Sequence, residues 1–322
     1  MKKTPLSDQK VNKAVGIFIS ILSAIALLII VLSISDLLEQ PSPIPNRKSE
    51  AGKEDVVLNP IQTSEGESIE VSKVIQTSEE NSVESSVEET IPNDSTPSFP
   101  IADVKASMFG DPLVEGKKYA FLTIDDGAFK DTTPLLLDEL DKAGIKATFF
   151  LVGDSLHEGN EKIVKRIYRD NHAIGFHSNN HVYQELYPGR SANPEEILRQ
   201  ADVCMQKAKA ILGKDFSSHL WRYPGGHMSW NNIEAADALL ADYGLDWIDW
   251  NAENGDGRAN NKKPTTVQAS IDAVLEGWIA YGSPDTMVIL MHDGPSHQLS
   301  RDFIVPFVQE IEDMGFEFAI MH

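Results

Sequence analysis

The sequence predicts an α/β domain, most simply a barrel of about seven strands, over residues 101–322, preceded by a single transmembrane helix and a disordered stalk. Three observations predict it. Short apolar runs alternate with amphipathic segments from about Ile101 to His322. No Gly-x-Gly-x-x-Gly or phosphate-loop signature follows any of those runs, which disfavours the alternative of an open doubly wound sheet. Upstream, an uncharged apolar stretch is followed by a long polar one.

Ala14 to Ser35 carries no charge and follows Lys2, Lys3, Lys10 and Lys13. As a helix it spans roughly 33 Å, which matches a bilayer core. The lysines place residues 1–13 in the cytoplasm and everything after Ser35 outside the cell. A cleaved signal peptide is the competing reading. Its apolar region would be shorter and end in a small-x-small site, for which Ser33-Ile34-Ser35 is a poor match. Residues 36–100 are rich in Ser, Glu, Pro and Thr, nearly free of aromatics, and contain Ile61-Gln62-Thr63-Ser64-Glu65 again as Ile75-Gln76-Thr77-Ser78-Glu79. Such a segment buries too little apolar surface to order itself, so it reads as an acidic linker holding the domain within reach of an extracellular polymer. The net charge of -21 and a pI near 4.7 exclude nucleic acid as a partner. Cys204 is the one cysteine, so no intrachain disulfide forms.

Within the domain, strands are expected at Tyr119–Ile124, Lys146–Val152, Ala173–His177, His219–Tyr223, Asp246–Trp250, Thr286–Met291 and Phe316–Met321. Helices are expected at Thr133–Ala143, Glu161–Asp170, Pro194–Leu212, Asn231–Tyr243, Thr265–Tyr281 and Asp302–Met314. Polar residues recur where the strands end. The first runs into Asp125-Asp126-Gly127, ordinary turn chemistry if taken alone, but also two carboxylates that repel unless a cation or proton separates them. The third runs into His177-Ser178-Asn179-Asn180-His181, and two imidazoles at that spacing converge on one cation in a helical or tight-turn conformation. A lone histidine there would be an ordinary surface or core residue. Arg222-Tyr223-Pro224-Gly225-Gly226, the segment through Asp256-Gly257, and His292-Asp293-Gly294 complete the rim. Together they point to a catalytic metal site at the carboxyl ends of the strands.

The segments T-I-D-D-G, H-S-N-N-H, R-Y-P-G-G, W-N-A-E-N-G-D-G and I-L-M-H-D resemble, in order, the five motifs of the polysaccharide deacetylases, the NodB homology domain of carbohydrate esterase family 4. The resemblance covers about Lys118 to His322, and with the anchor it is similar to the membrane-anchored peptidoglycan N-acetylglucosamine deacetylases of Gram-positive bacteria. It implies a deformed (β/α) barrel that hydrolyses N-acetyl groups of an extracellular glycan with a divalent metal, zinc first and cobalt as the alternative. It implies Asp126, His177 and His181 as ligands, Asp125 as base, Arg222 as the partner of the base and His292 as acid. On that assignment Asp256 orients His292, a backbone N–H near Gly225 is the second oxyanion donor, and Leu290 helps line the methyl pocket. The fourth motif departs from the family's usual Asp-Trp, having Gly257 after Asp256, and Trp250 is the candidate replacement for the missing aromatic wall. His227 and His297 lie beside the third and fifth motifs and are expected to be rim or solvent histidines. Peptidoglycan is the leading substrate. The alternatives are poly-N-acetylglucosamine, chitin oligomers, acetylated xylan, or a non-catalytic glycan-binding barrel. The sequence leaves the oligomeric state open.

Overall fold

Strand β2 (Lys118–Asp126) is the axis of the domain. Its apolar residues leave seven consecutive positions buried, as a strand covered on both faces requires. The structure is a computed structural model, and it describes residues 96–110 and 112–322. The expected cytoplasmic tail, the anchor at 14–35 and all but the end of the linker lie outside the described residues. Among the described residues no helix is long and apolar enough to cross a membrane.

In chain order the elements are β1 (Ser98–Phe99), α1 (Ile101–Ser107), β2, α2 (Thr133–Ala143), β3 (Thr148–Leu151), α3 (Glu161–Arg169), β4 (Ala173–Phe176), α4 (Tyr183–Leu186) and α5 (Pro194–Leu212). There follow β5 (Leu220–Trp221), α6 (Glu234–Tyr243), β6 (Asp246–Trp247), β7 (Ala252–Glu253), α7 (Val267–Ala280), β8 (Thr286–His292), α8 (Gln298–Asp313), β9 (Phe316–Phe318) and β10 (Ile320–Met321). All pairings among these strands are parallel, in the order β6-β5-β4-β3-β2-β8-β7. No pairing joins β6 to β7, so the expected barrel is a curled sheet with an open seam.

The strands depart from expectation in three ways. The last strand splits in two. Its first part, β9, pairs with Lys118–Ala120, below the point where β3 takes Thr123–Asp126, and its second part, β10, pairs with β1 instead. The strands expected at 219–223 and 246–250 shrink to two residues each, because the Arg222 side chain takes the carbonyls of Ile248 and Asp249 at 3.1 and 3.2 Å. The short β7 went unpredicted because two residues carry no periodicity.

Period-two alternation divides the core. Ala120, Leu122 and Ile124 of β2 face the surrounding helices, while Tyr119 and Phe121 face inward with Phe150, Leu220, Ile248 and Val288. Ile101, Val104 and Met108 of the α1 segment pack into this inner cluster and stopper the floor of the sheet. Lys105 of α1 makes an ion pair with Asp246 of β6, and Phe99 meets Tyr119 edge-on at 4.7 Å. Ile320 N donates to Pro97 O, and His322 N to Phe99 O. Ordered packing therefore begins upstream of the expected start at residue 101.

A chain starting at Thr96 should accordingly unfold at higher urea concentration than one starting at Ile101, and Phe99→Ala should cost about 2 kcal/mol. Equal midpoints would show that β1 contributes nothing.

Candidate active site

The carboxyl ends of β2, β4, β5 and β8 deliver the site, joined by the loop after β7. Asp125 of β2 and His292 of β8 are register partners on adjacent strands, which sets them side by side on the inner face. Leu290 and Val288 continue that face below His292, so Leu290 is buried beneath the histidine.

Asp126, His177 and His181 offer ligand atoms that all lie within 4.8 Å of one another. The segment from His177 to His181 is a tight turn rather than a helix. Ser178 (φ 63°), His181 (φ 56°) and Asp126 (φ 80°) all take left-handed backbone, which costs a side-chain-bearing residue free energy. Hydrogen bonds hold the turn there. Gln200 of α5, fully buried, accepts from Asn179 N at 2.9 Å and Asn180 N at 3.4 Å. Ser178 Oγ accepts from His181 N at 3.0 Å, and Ser178 O and Asn179 O accept from Gly153 N and Asp154 N. The Nδ1 of His177 lies 2.8 Å from the Arg222 carbonyl. A carbonyl only accepts, so Nδ1 carries the proton and Nε2 presents its lone pair to Asp126 and His181. Burial pushes the His177 pKa down, against the pull of Asp125, which keeps the ring neutral. One carboxylate and two imidazoles, one of them held as a neutral donor, fit a divalent cation with coordination positions to spare.

Asp125 is buried beside this cluster. Its Oδ1 accepts from Arg222 Nη1 at 2.9 Å, and its Oδ2 lies 3.6 Å from His177 Nε2. Arg222 is fully buried. Besides the two carbonyls it donates to Thr123 Oγ1 at 2.6 Å, and its guanidinium lies over the Phe150 ring at 4.2 Å.

His292 Nδ1 lies 2.7 Å from Asp256 Oδ1, and the His292 backbone N donates to Asp256 Oδ2 at 2.9 Å. Ser300 of α8 donates to the same Oδ2 at 2.5 Å, and buried Asn254 donates to Ser300 Oγ. Burial alone would lower the His292 pKa, but the hydrogen bond and charge of Asp256, helped by Asp125 and Asp126, outweigh it and push the ring up to about 9. Burial likewise opposes the charged form of Asp256, and the His292 contact prevails to lower it. Asp293, the neighbour in sequence, turns away to accept from Thr133 Oγ1.

The remaining candidates sit as follows. Gly225 (φ 77°) lies on the exposed turn after β5. Trp250 packs on Gly226 and over the Arg222 guanidinium at 5.7 Å. A Cβ at Gly257 would stand 3.0 Å from His292 Cε1, so this departure from the family motif brings bare backbone against the ring. His227 and His297, expected at the rim or in solvent, are both half-buried. His227 is hydrogen-bonded to Asp237 at 2.8 Å and stacked on Trp247 at 3.6 Å, and His297 stacks beside His292 at 5.8 Å. Gln200 and Ser300 carried no signal in the sequence, because Gln200 sits inside an ordinary helical pattern and Ser300 just before the expected start of the last helix. A cleft of about 450 Å³, lined by Asp126, His181, Phe129, Ser155 and His157, opens onto the candidate ligands.

The family profile described as polysaccharide deacetylase matches residues 114–244. A peptidoglycan-N-acetylglucosamine deacetylase of Bacillus cereus is 31% identical over 206 residues, covering 64% of this chain and 70% of the relative. The chain belongs to the polysaccharide deacetylase family. Among solved structures, a CE4 esterase from Streptococcus mutans superposes with a TM-score of 0.67 at 34% identity, over 70% of this chain and 92% of its own. A polysaccharide deacetylase from Bacillus cereus does so with a TM-score of 0.53 at 28% identity, over 64% and 93%. The profile ends before the loop and strand that carry Asp256 and His292, so for this deacetylase those two residues rest on the geometry above.

A proton-detected titration of the metal-free protein should place the His292 ring near 9. The Asp256 carboxylate stabilises the imidazolium, so Asp256→Asn should move the titration to lower pH. An unmoved titration would show that Asp256 does not set the protonation of His292.

Proposed function

We propose that this deacetylase removes N-acetyl groups from N-acetylglucosamine units of an extracellular polysaccharide, with peptidoglycan as substrate. The observation that carries the reading is the placing of Asp125 and His292 as register partners beside the Asp126, His177 and His181 cluster. A base, an acid and a cation site then converge on one amide. The name of the Bacillus cereus relative supports peptidoglycan as the glycan. The lysine-flanked apolar segment at 14–35 supports a single-pass anchor with the domain outside the cell.

Asp126, His177 and His181 would hold the divalent cation, zinc by the chemistry of the donors with cobalt as the alternative. When bound it supplies Lewis acidity toward the acetamide carbonyl and lowers the pKa of a water. The base is Asp125. Arg222 occupies its Oδ1, which leaves Oδ2 facing the ligand cluster to take the proton of the attacking water. Arg222 thus fixes which oxygen works. The Gly225 N–H, without a hydrogen-bond partner among the described residues, stands as second donor to the oxygen that gains charge. His292, with Nδ1 committed to Asp256, presents Nε2 to the amine as the C–N bond breaks. Leu290 closes the pocket around the acetyl methyl, and Trp250 walls it from the Arg222 side. Water adds across the amide to give acetate and the free amine.

The metal-loaded protein should release acetate from purified peptidoglycan, and chelation should abolish that release until zinc or cobalt is restored. Larger release from chitin oligomers or acetylated xylan would move the substrate assignment to those glycans. No release from any of the three would favour a non-catalytic glycan-binding barrel.

Asp125→Asn keeps the shape of the side chain but cannot take a proton. Turnover should fall by roughly 10² to 10⁴ while metal content stays stoichiometric. Normal turnover would remove Asp125 as base, and lost metal would reassign it as a ligand.

A further inference from the structure

The turn that carries Gly225 is held by a side chain that the chemistry above leaves unused. Tyr223 and His227 stand on either side of Pro224-Gly225-Gly226, and both reach Asp237 of α6. Asp237 Oδ1 accepts from the Tyr223 hydroxyl and Oδ2 from His227 Nε2, each at 2.8 Å. One carboxylate thus closes both ends of a three-residue turn. The turn needs that support from outside. Gly225 (φ 77°) and Gly226 (φ 82°) take left-handed backbone and have no side chain of their own to fix it.

The other polar groups of the turn are used in keeping it in place. Gly226 N donates to Tyr223 O at 2.8 Å, His227 N donates to Asp249 Oδ1 at 2.9 Å, and Pro224 has no N–H. The Pro224 and Gly225 carbonyls accept from Trp230 Nε1 at 2.9 Å and Ser229 Oγ at 2.7 Å. From Pro224 to His227, the Gly225 N–H is then the one backbone donor without a partner among the described residues.

His227 does more than pack. Its ring stacks on Trp247 at 3.6 Å with the planes 7° apart, yet its Nδ1 is buried with no hydrogen-bond partner among the described residues. An unpaired buried polar atom costs free energy, and a phenylalanine would give the same stack without one. A carboxylate only accepts, so Nε2 carries the proton that Asp237 receives. That bond is what the imidazole adds. Tyr223, fully buried, directs its hydroxyl to the same carboxylate.

We propose that Asp237 is a positioning residue for the reaction, holding Tyr223 and His227 together so that the Gly225 N–H faces the oxygen that gains charge. The proposal rests on the deacetylase reading above and deepens it by naming what sets the second donor. Turnover then depends on a helix residue that does not touch the substrate.

The test uses the full chain, zinc-loaded, with the pentamer of N-acetylglucosamine. Asp237→Ala, Tyr223→Phe and His227→Phe should each lower kcat about tenfold to a hundredfold with KM within about twofold, because a donor to developing charge acts in the transition state. His227→Phe should leave the urea midpoint unchanged, since the bond it loses is offset by the unpaired Nδ1 it removes. Added to Asp237→Ala it should lower kcat no further, because both break one clasp. Asp237→Asn can accept from Tyr223 and donate to His227 Nε2 once that ring moves its proton to Nδ1, so it should recover most of the lost kcat. Parental kcat in Asp237→Ala, a rise in KM with kcat kept, or kcat losses that follow lost metal or a lowered midpoint in all three variants would overturn the proposal. Backbone order parameters of Gly225 and Gly226 separate the clasp from the chemistry. A parent that releases no acetate, yet whose two glycines lose order in Asp237→Ala, would retain the clasp and refute the deacetylase reading. Unchanged order in that variant of a parent that does release acetate would refute the clasp and retain the activity.

Discussion

The buried guanidinium of Arg222 is the constraint on which the rest of the site depends. A charge removed from water costs several kcal/mol unless it is paired and its donors are met. Here Asp125, Thr123, the carbonyls of Ile248 and Asp249 and the face of Phe150 meet that need. The partners come from β2, β3 and the segment after β6, so one side chain ties strands that the sheet pairing connects only through several intermediates. Its own carbonyl receives His177, which fixes the tautomer of a candidate metal ligand. The two strands cut short beside it are the structural cost of that arrangement.

Strain and support are distributed in the same way around the ligand cluster. Asp126, Ser178 and His181 sit in backbone that L-residues avoid, each at an expense of about 1–3 kcal/mol. The compensation comes from elements that carry no chemistry. Gln200 reaches in from α5 to satisfy two turn amides, and Gly153 leaves room for Asn179, where a Cβ would meet its Oδ1 at 2.6 Å. Beside His292, Ser300 of α8 plays the corresponding part for Asp256. Helices on the outside of the sheet thus hold groups on its inner rim.

How far the sequence discloses this follows from what each feature needs. The bounds of α5 are legible residue for residue, because Pro194, its flanking Asn193 and Gly213, and an apolar stripe all mark the same ends. The rim residues are legible because strand ends concentrate polar side chains in an otherwise apolar pattern. The direction of Asp293 is legible from strand alternation, and the structure turns it toward Thr133 as that alternation requires. The open seam, the splitting of the last strand and the roles of Gln200 and Ser300 are not legible. They depend on which distant segments meet, and a single chain's local pattern holds no record of that. His227 illustrates the limit, since only the fold brings Asp237 and Trp247 to it.

The stopper made by β1 and α1 has a geometric consequence. Both elements sit against the amino ends of the strands, next to Tyr119 and the β9 edge, while the candidate site residues lie at the carboxyl ends. Whatever precedes residue 96 therefore joins the domain at the pole opposite its rim. Tension along the chain would load the two-residue β1 pairing and the α1 plug before it reached any residue of the rim.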